Sequence, residues 1–146
     1  MPGYWILSTV TEEPVPQTAL RDGVAALLRV GLWGIDADER HRDALAAGDL
    51  VLVYLGAPAR EFVGRAELAS AVHPWTSSEA SVYPGDAPSG VSLAQVEQWD
   101  RPASMSVVLS NLGPSPDAKA DFDAGVVEIS AHEYETVIAV TAGRAA

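Results

Sequence analysis

The chain has 146 residues and no cysteine, which excludes disulfide bonds, thiol redox chemistry and cysteine-based zinc sites. Its three histidines, His41, His73 and His132, lack the close spacing that metal ligands usually show, so we expect neither a metal nor a cofactor. No apolar run approaches the roughly 20 residues of a membrane helix, and the N-terminus has no basic segment followed by an apolar one. We therefore expect a cytoplasmic protein without a membrane partner.

Basic side chains are also scarce, because the chain has eight arginines, a single lysine and a formal net charge of −11. Phosphate-driven binding to nucleic acid strengthens with the number of phosphates that a protein neutralises, so this composition argues against non-specific nucleic-acid binding. The charge is unevenly distributed: residues 1–75 hold ten acids and six bases, whereas residues 76–146 hold ten acids and three bases. An anionic partner would therefore meet the N-terminal half.

The length suits a single domain, 1–146, with a core large enough to need no disulfide or metal. Strand-like segments are Tyr4–Val10, Leu32–Ile35 (a short strand or bulge), Leu50–Leu55, Glu61–Ala71, Val91–Trp99 and Gly125–Ile129. Helical segments are Ala19–Arg29 with Thr18 as cap, Asp36–Ala47, Val107–Leu109, and a closing helix after the capping box Ser130–Glu133. The segments His73–Gly90 and Pro114–Ala120 are predicted to be a long loop and a linker. This mixed order of five or six strands and three or four short helices predicts an α+β domain.

Trp33 is the first candidate binding residue, because it lies between Gly31 and Gly34 in the short segment after the first helix. One interpretation is a tryptophan of the core. The other is that its small neighbours leave one ring face open to a flat ligand, and stacking of a nucleobase on such a ring is worth about 1–3 kcal/mol. Trp75, in the long loop, is a candidate second wall, whereas Trp5 and Trp99 lie in strand-like segments and are expected in the core.

The sequence also has a basic cluster, which can likewise be interpreted as structural or as ligand-binding: Arg29, Arg40, His41 and Arg42. Nearby acidic residues largely neutralise it, which is typical of a solvated helix face. Alternatively, two or three of these side chains hold the phosphates beside a bound nucleotide, contacts that position a ligand without reading its sequence. Catalytic motifs are missing: the chain has no Gly-x-Ser-x-Gly elbow and no glycine-rich phosphate loop, so we expect no enzyme.

Several motifs resemble the PUA-like superfamily, and within it the EVE domains and their relatives, the YTH domains. They are the aromatic strand Tyr4-Trp5-Ile6-Leu7-Ser8, Gly31-Leu32-Trp33-Gly34, the basic Arg40-His41-Arg42, the strand Gly48-Asp49-Leu50-Val51-Leu52-Val53-Tyr54, and Phe62-Val63-Gly64-Arg65-Ala66-Glu67. The match covers roughly residues 4–70. It implies a small mixed β-barrel of five to six strands flanked by short helices, with a pocket that accepts a modified nucleobase.

Carried over by position, the resemblance implies that Trp33 is a wall of an aromatic cage and that Trp75 is a second wall. Ser8, Gly34, Ile35 and the segment Arg40-His41-Arg42 would line the rim or supply hydrogen bonds. The asparagine that YTH domains have after the cage tryptophan is missing here, which favours an EVE-like reader of modified cytosine in DNA over a reader of N6-methyladenine in RNA. The ligand would then be one flipped or unpaired base.

Two other functions stay open. The same fold could serve as a small-molecule or protein-interaction domain, with the acidic C-terminal half as the partner surface. A hydrolase or deaminase with an unrecognised site is the third alternative. The sequence also leaves open whether the domain works alone or beside a nuclease or another effector protein.

Overall fold

The computed structural model describes residues 3–9, 17–35, 42–55, 61–83, 88–104 and 126–145. The elements, in chain order, are β1 (Tyr4–Thr9), α1 (Gln17–Val30), β2 (Leu32–Gly34), a 3-10 helix (Arg42–Ala44), β3 (Leu50–Leu55), β4 (Glu61–Leu68), β5 (His73–Pro74), α2 (Ser77–Val82), β6 (Ser89–Ser104), β7 (Val126–Ile129) and α3 (Ala131–Ala145).

The strands form one curled mixed sheet in the order β2-β6-β4-β3-β1-β7, and the short β5 pairs with the start of β6. The pair β1 and β3 is parallel, whereas the other neighbouring strands are antiparallel. A parallel pair requires a crossover connection, and α1 and β2 lie in the chain between these two strands. The sheet and its flanking helices confirm the predicted α+β class.

Apolar clusters cover both faces of the sheet, because side chains of a strand alternate between its faces. In β3, Val51 and Val53 belong to the cluster that includes Val24 and Leu28 of α1. The alternate residues Leu52 and Tyr54 belong to the second cluster, which includes Tyr134 and Val137 of α3. Strand β3 is therefore buried on both faces, as its continuous apolar sequence predicts.

A buried carboxylate fixes the entry to β3. Asp49 is 7% exposed and accepts hydrogen bonds from the Gly3 amide (2.8 Å), the Ala46 amide (3.1 Å) and the Trp5 indole N–H (2.9 Å). These bonds join the start of β1 to the turn before β3 and give the buried indole of Trp5 its acceptor. Trp5 lies in the core, as expected.

The helix ends agree with the sequence signals at two places. Gly31 ends α1 with a φ of +73°, in the left-handed region that glycine adopts without strain. The capping box before α3 is formed in both directions: the Ser130 amide donates to the Glu133 carboxylate (2.9 Å), and the Glu133 amide donates to the Ser130 hydroxyl (3.1 Å).

Other boundaries differ from the predictions. Helix α1 begins at Gln17, so Thr18 lies inside it. In the segment 36–47 the described part contains only the 3-10 helix Arg42–Ala44, and the segment His73–Gly90 contains β5 and α2 as well as loop. Strand β6 continues past Pro102 to Ser104, since its register shifts against β4 absorb the extra residues.

The predicted helix Val107–Leu109, the predicted linker Pro114–Ala120 and residues 36–41 of the predicted helix Asp36–Ala47 lie outside the described residues. Among the helices that the structure describes, none is both long and apolar enough to span a bilayer.

Candidate functional site

Trp33 lies inside the protein. This residue is only 5% exposed to solvent, and it belongs to the core cluster that contains Trp5, Leu28 and Val91. Strand β2 pairs with β6 through Trp33 and Val91, so the backbone on both sides of this tryptophan is fixed by the sheet. The expectation of a ring face open to solvent is therefore corrected: of the two interpretations of Trp33, the structure favours the core residue.

The neighbours of Trp33 have different environments. Gly34 is half-buried at the end of β2 and pairs with Gly90. Ile35 is 2% exposed and lies in the core, and its amide donates to the Ser89 carbonyl (3.0 Å). Ile35 thus contributes to the apolar interior, and only its backbone stands near the start of β6.

Arg42 connects these two strands. Its guanidinium donates to the Ile35 carbonyl (3.2 Å) and to the Ser89 hydroxyl (2.9 Å). The fork of the guanidinium group suits two acceptors at once. The structure thus places Arg42 beside the ends of these two strands, and the contacts that it shows there are with the protein's own backbone and side chain.

Of the two tryptophans predicted to form the site, Trp33 and Trp75, Trp75 is the one that is partly accessible to solvent. It is half-buried and follows β5 directly, and its amide donates to the Pro88 carbonyl (3.2 Å). Its ring centroid lies 4.7 Å from that of Tyr83, with 40° between the planes, and 5.8 Å from that of His73 in an edge-on arrangement. Aromatic pairs favour such tilted and edge-to-face geometries. The indole is therefore held in a defined orientation at the protein surface.

Gly90 forms the floor beneath this indole. It pairs with Gly34 of β2 on one side and with His73 of β5 on the other. A Cβ atom at Gly90 would lie 2.5 Å from Cη2 and 2.8 Å from Cζ2 of Trp75, and it would also collide with the Trp33 carbonyl oxygen. Such a close approach between a ring and a backbone is possible only at glycine. We call the group Gly34, Arg42, Trp75, Tyr83 and Gly90 the Trp75 site.

The loop that carries Trp75 is anchored by a capping box and a histidine. Thr76 caps α2: the Glu79 amide donates to its hydroxyl (3.2 Å), and the Thr76 amide donates to Oε1 of Glu79 (2.9 Å). The same carboxylate contacts Nε2 of His73, at 2.8 Å from Oε1 and 3.1 Å from Oε2. Glu79 thus binds the residues on both sides of the Pro74–Trp75 dipeptide.

Both ionisable groups of this anchor are shifted. The contact with the Ala71 carbonyl and then that with Glu79 raise the pKa of His73 above its usual 6.5. The hydrogen bond from the Thr76 backbone and then that from His73 lower the pKa of Glu79 below its usual 4.5. Both shifts favour the charged forms, a carboxylate that faces an imidazolium.

The series Ser70, His73 and Glu79 resembles the hydrogen-bond order of a hydrolase triad, since Nδ1 of His73 lies 3.2 Å from the Ser70 hydroxyl. The Ser70 oxygen, however, accepts hydrogen bonds from the Ser92 amide and the Ser92 hydroxyl, both at 3.1 Å. Nδ1 also lies 3.0 Å from the Ala71 carbonyl, an acceptor that a general base would not face. These contacts are those of a structural serine that joins β6 to the turn before β5.

The remaining predicted site residues lie elsewhere or are not described. Ser8 is buried in β1 opposite Tyr54, and β1 is separated from β6 by β3 and β4 in the sheet order. Arg40 and His41 lie outside the described residues. Trp99 is partly buried against the second cluster and donates to Glu97 (2.8 Å), on the side of the sheet that α3 covers. Among the residues that the structure describes, no group of three or more His, Asp or Glu side chains could hold a metal.

The site predicted from the sequence does not include Tyr83 and Gly90, which belong to the Trp75 site, nor His73 and Glu79, which anchor its loop. The sequence does carry a signal for Glu79, because Thr76-Ser77-Ser78-Glu79 is a capping-box pattern inside the segment predicted as a long loop. His73 and Gly90 carry no comparable signal, since their roles depend on strand pairing between distant residues.

No family model matches the sequence, and no curated protein matches it significantly. Solved structures do match its fold. A hypothetical protein from Leishmania major has a TM-score of 0.67 and 20% identity, over 100% of this chain and 98% of that one.

Two further structures with this fold are a YTH domain and an ASCH protein. The YTH domain of a Zygosaccharomyces rouxii protein, solved in complex with N6-methyladenosine RNA, has a TM-score of 0.61 and 12% identity, over 96% of this chain and 86% of that one. An ASCH protein from Zymomonas mobilis has a TM-score of 0.57 and 10% identity, over 95% and 96%. These similarities establish the PUA-like fold, which the sequence motifs predicted.

Proposed function

We propose that the chain is a non-enzymatic module that binds nucleic acid by accepting a single modified base against Trp75, with modified cytosine in DNA as the favoured ligand. The observation that carries this proposal is the half-buried indole of Trp75, fixed between Tyr83, His73 and Gly90 at the protein surface. A rigid and partly accessible ring offers a stacking surface at little cost in conformational entropy, because few torsions remain to be ordered.

The fold supports the same function. A YTH domain with this fold was solved with an RNA that carries N6-methyladenosine, so the scaffold can present a pocket for a modified base. The present chain lacks the asparagine of the YTH pattern after Trp33. That difference is the reason for favouring a modified cytosine over N6-methyladenine.

The charge of the protein indicates how the ligand is held. At a net charge of −11 the chain repels a phosphate backbone as a whole, so affinity must come mainly from the base. Extruding a base from a duplex costs a few kcal/mol, and stacking on an aromatic ring returns about 1–3 kcal/mol. Hydrogen bonds to the base edge must supply the remainder, which makes an unpaired or weakly paired base the preferred target.

The test is a binding measurement with Trp75→Ala on a panel of oligonucleotides, single-stranded and duplex, that carry unmodified, methylated or hydroxymethylated cytosine or N6-methyladenine. We expect the wild type to prefer a modified cytosine, and the variant to lose about 1–3 kcal/mol, roughly five- to 150-fold in Kd. Trp99→Ala is the matched control, because Trp99 is also partly buried but packs against the second apolar cluster, on the side of the sheet that α3 covers. Equal affinity of the wild type and Trp75→Ala for every oligonucleotide would overturn the proposal.

Salt dependence separates this function from a protein-interaction module. A base reader that engages one or two phosphates should show a shallow, measurable decrease of log K with log salt, with a slope of about −0.7 to −0.9 for each phosphate neutralised. Recovery of the oligonucleotide unchanged after incubation, checked by mass, is the expected result for a module without catalytic activity. A cleaved or deaminated product would contradict that part of the proposal.

A further inference from the structure

A histidine side chain lies beneath the Trp75 loop, with both of its ring nitrogens engaged. Nε2 of His73 contacts the Glu79 carboxylate at 2.8 and 3.1 Å, and Nδ1 contacts the Ala71 carbonyl oxygen at 3.0 Å. We call His73, Glu79 and the Ala71 carbonyl the His73 clamp.

The clamp has acceptors at both ends. A carbonyl oxygen and an ionised carboxylate can only accept hydrogen bonds, whereas a neutral imidazole carries a single N–H. Both contacts are satisfied together only when the ring is protonated at Nδ1 and at Nε2. A neutral ring protonated at Nε2 keeps the bond to Glu79 and can accept from the Ser70 hydroxyl at Nδ1, but it gives up the bond to the Ala71 carbonyl. The geometry thus favours the imidazolium, and the upward shift of the His73 pKa agrees with it.

The neighbours of the ring contribute little other charge. Glu79 faces it from α2, the Trp75 ring lies edge-on to it two residues further along the chain, and Ser70 faces it from the preceding turn. The residue of β6 that pairs with His73 is Gly90, which has no side chain. Among these described neighbours Glu79 is the one charged group, so the charge on His73 is balanced by a single carboxylate.

The clamp is coupled to Trp75 by position. His73 and Thr76 flank Pro74 and Trp75, and Glu79 binds both of them through Oε1, to Nε2 of His73 and to the amide of Thr76. If the ring loses the proton of Nδ1, its hydrogen bond to the Ala71 carbonyl is lost, and with it one anchor at the start of this short loop, whereas the bond from Nε2 to Glu79 can remain. The Thr76 anchor stays, so the expected consequence is a shift of Trp75 and not unfolding of α2.

We infer that His73 is a positioning residue for the Trp75 site. Its doubly protonated ring holds the indole in the orientation that accepts a base. Loss of one ring proton releases the indole, so the affinity for the base falls as pH rises. The affinity part of this inference rests on the function proposed above. The part that concerns the position of Trp75 does not, because it refers to the protein without ligand.

The first experiment therefore uses the free protein. The indole N–H resonances of 15N-labelled protein are followed from about pH 5 to about pH 9 together with the ring resonances of His73, and Trp75→Phe assigns the indole signal. We expect the Trp75 signal to shift with the same midpoint as the His73 ring, above 6.5. A Trp75 signal that stays constant while His73 titrates would overturn the inference.

Two variants and one control sharpen this result. His73→Gln should abolish the titration of the Trp75 signal. Glu79→Gln keeps a side-chain acceptor for the Thr76 amide, since glutamine also completes a capping box, but it removes the charge and should move the midpoint to lower pH. His132→Gln is the matched control, because His132 is an exposed histidine of α3, and it should leave the titration unchanged. An unchanged Trp75 titration in His73→Gln would likewise refute a positioning role.

The second experiment measures binding of the modified oligonucleotide at about pH 6 and about pH 9. If half or more of the molecules leave the binding-competent state, the apparent Kd of the wild type should rise about twofold or more, and that of His73→Gln should not change. A pH-dependent Trp75 signal without binding at either pH would refute the proposed function and leave the clamp intact. Binding that is independent of pH would refute the coupling between the clamp and the site.

Discussion

The indole of Trp75 lies against the backbone of Gly90, so close that a methyl group at residue 90 would come within 2.5 Å of the ring. Gly90 belongs to β6 and Trp75 follows β5, and the two strands pair through His73 and Gly90. The position of the partly accessible tryptophan therefore depends on the absence of a side chain on the neighbouring strand.

Gly90→Ala should displace Trp75 and weaken the pairing of β2 with β6, since the new methyl group also meets the Trp33 carbonyl oxygen. Overpacking of this kind typically costs about 1–3 kcal/mol of the free energy of unfolding. Denaturant unfolding and the tryptophan emission spectrum measure the two effects. Gly23→Ala is the control, because a Cβ at Gly23 meets no atom within 4 Å and alanine favours the helix. Equal stability of the two variants would contradict the close approach.

Trp33→Ala should destabilise the fold and not merely remove a ligand contact. Trp33 is 5% exposed in the core cluster, and truncation of a buried tryptophan typically costs about 3–5 kcal/mol. The free energy of unfolding from urea titration measures the loss. Trp75→Ala, at a half-buried position, should lose distinctly less stability. A stable, fully folded Trp33→Ala protein would show instead that this ring lines an open pocket.

Asp49→Asn should weaken the connection between β1 and β3. The carboxylate accepts three hydrogen bonds, including that of the buried Trp5 indole, whereas an asparagine of the same shape turns one acceptor into a donor. A buried donor without an acceptor costs about 1–3 kcal/mol, which thermal or denaturant unfolding would detect. Asp43→Asn, at an exposed residue of the 3-10 helix, should change the stability by no more than about 0.5 kcal/mol.

The stability of the protein should depend on pH through His73 and Glu79. The folded pKa of His73 is raised, so its contribution is complete below about 6.5 and is lost as pH rises through the folded value. The folded pKa of Glu79 is lowered, so its contribution is complete above about 4.5 and is lost as pH falls through the folded value. The difference in unfolding free energy between the wild type and His73→Gln should therefore be largest between about pH 4.5 and pH 6.5. A difference that grows above pH 7 would contradict the assignment.

Local sequence signals predicted the elements whose causes are local. The aromatic and aliphatic composition of β1, the continuous apolar run of β3, the glycine that ends α1 and the capping box before α3 all act between residues a few positions apart. These signals, together with the motifs of residues 4–70, were sufficient for the α+β class and for the PUA-like fold.

The tertiary structure decided which tryptophan is accessible. A tryptophan between glycines is compatible with a buried or an open ring, and only the pairing of β2 with β6, nearly 60 residues apart in the chain, places Trp33 in the core. The same strand β6 brings Gly90 beneath Trp75, and β5 brings His73 to Glu79. Contacts between distant segments depend on the sheet order, and no pattern within a short window of sequence encodes that order. The composition determined that a nucleic-acid ligand cannot be held mainly by its phosphates, whereas the place where a base could stack was determined by strand pairing.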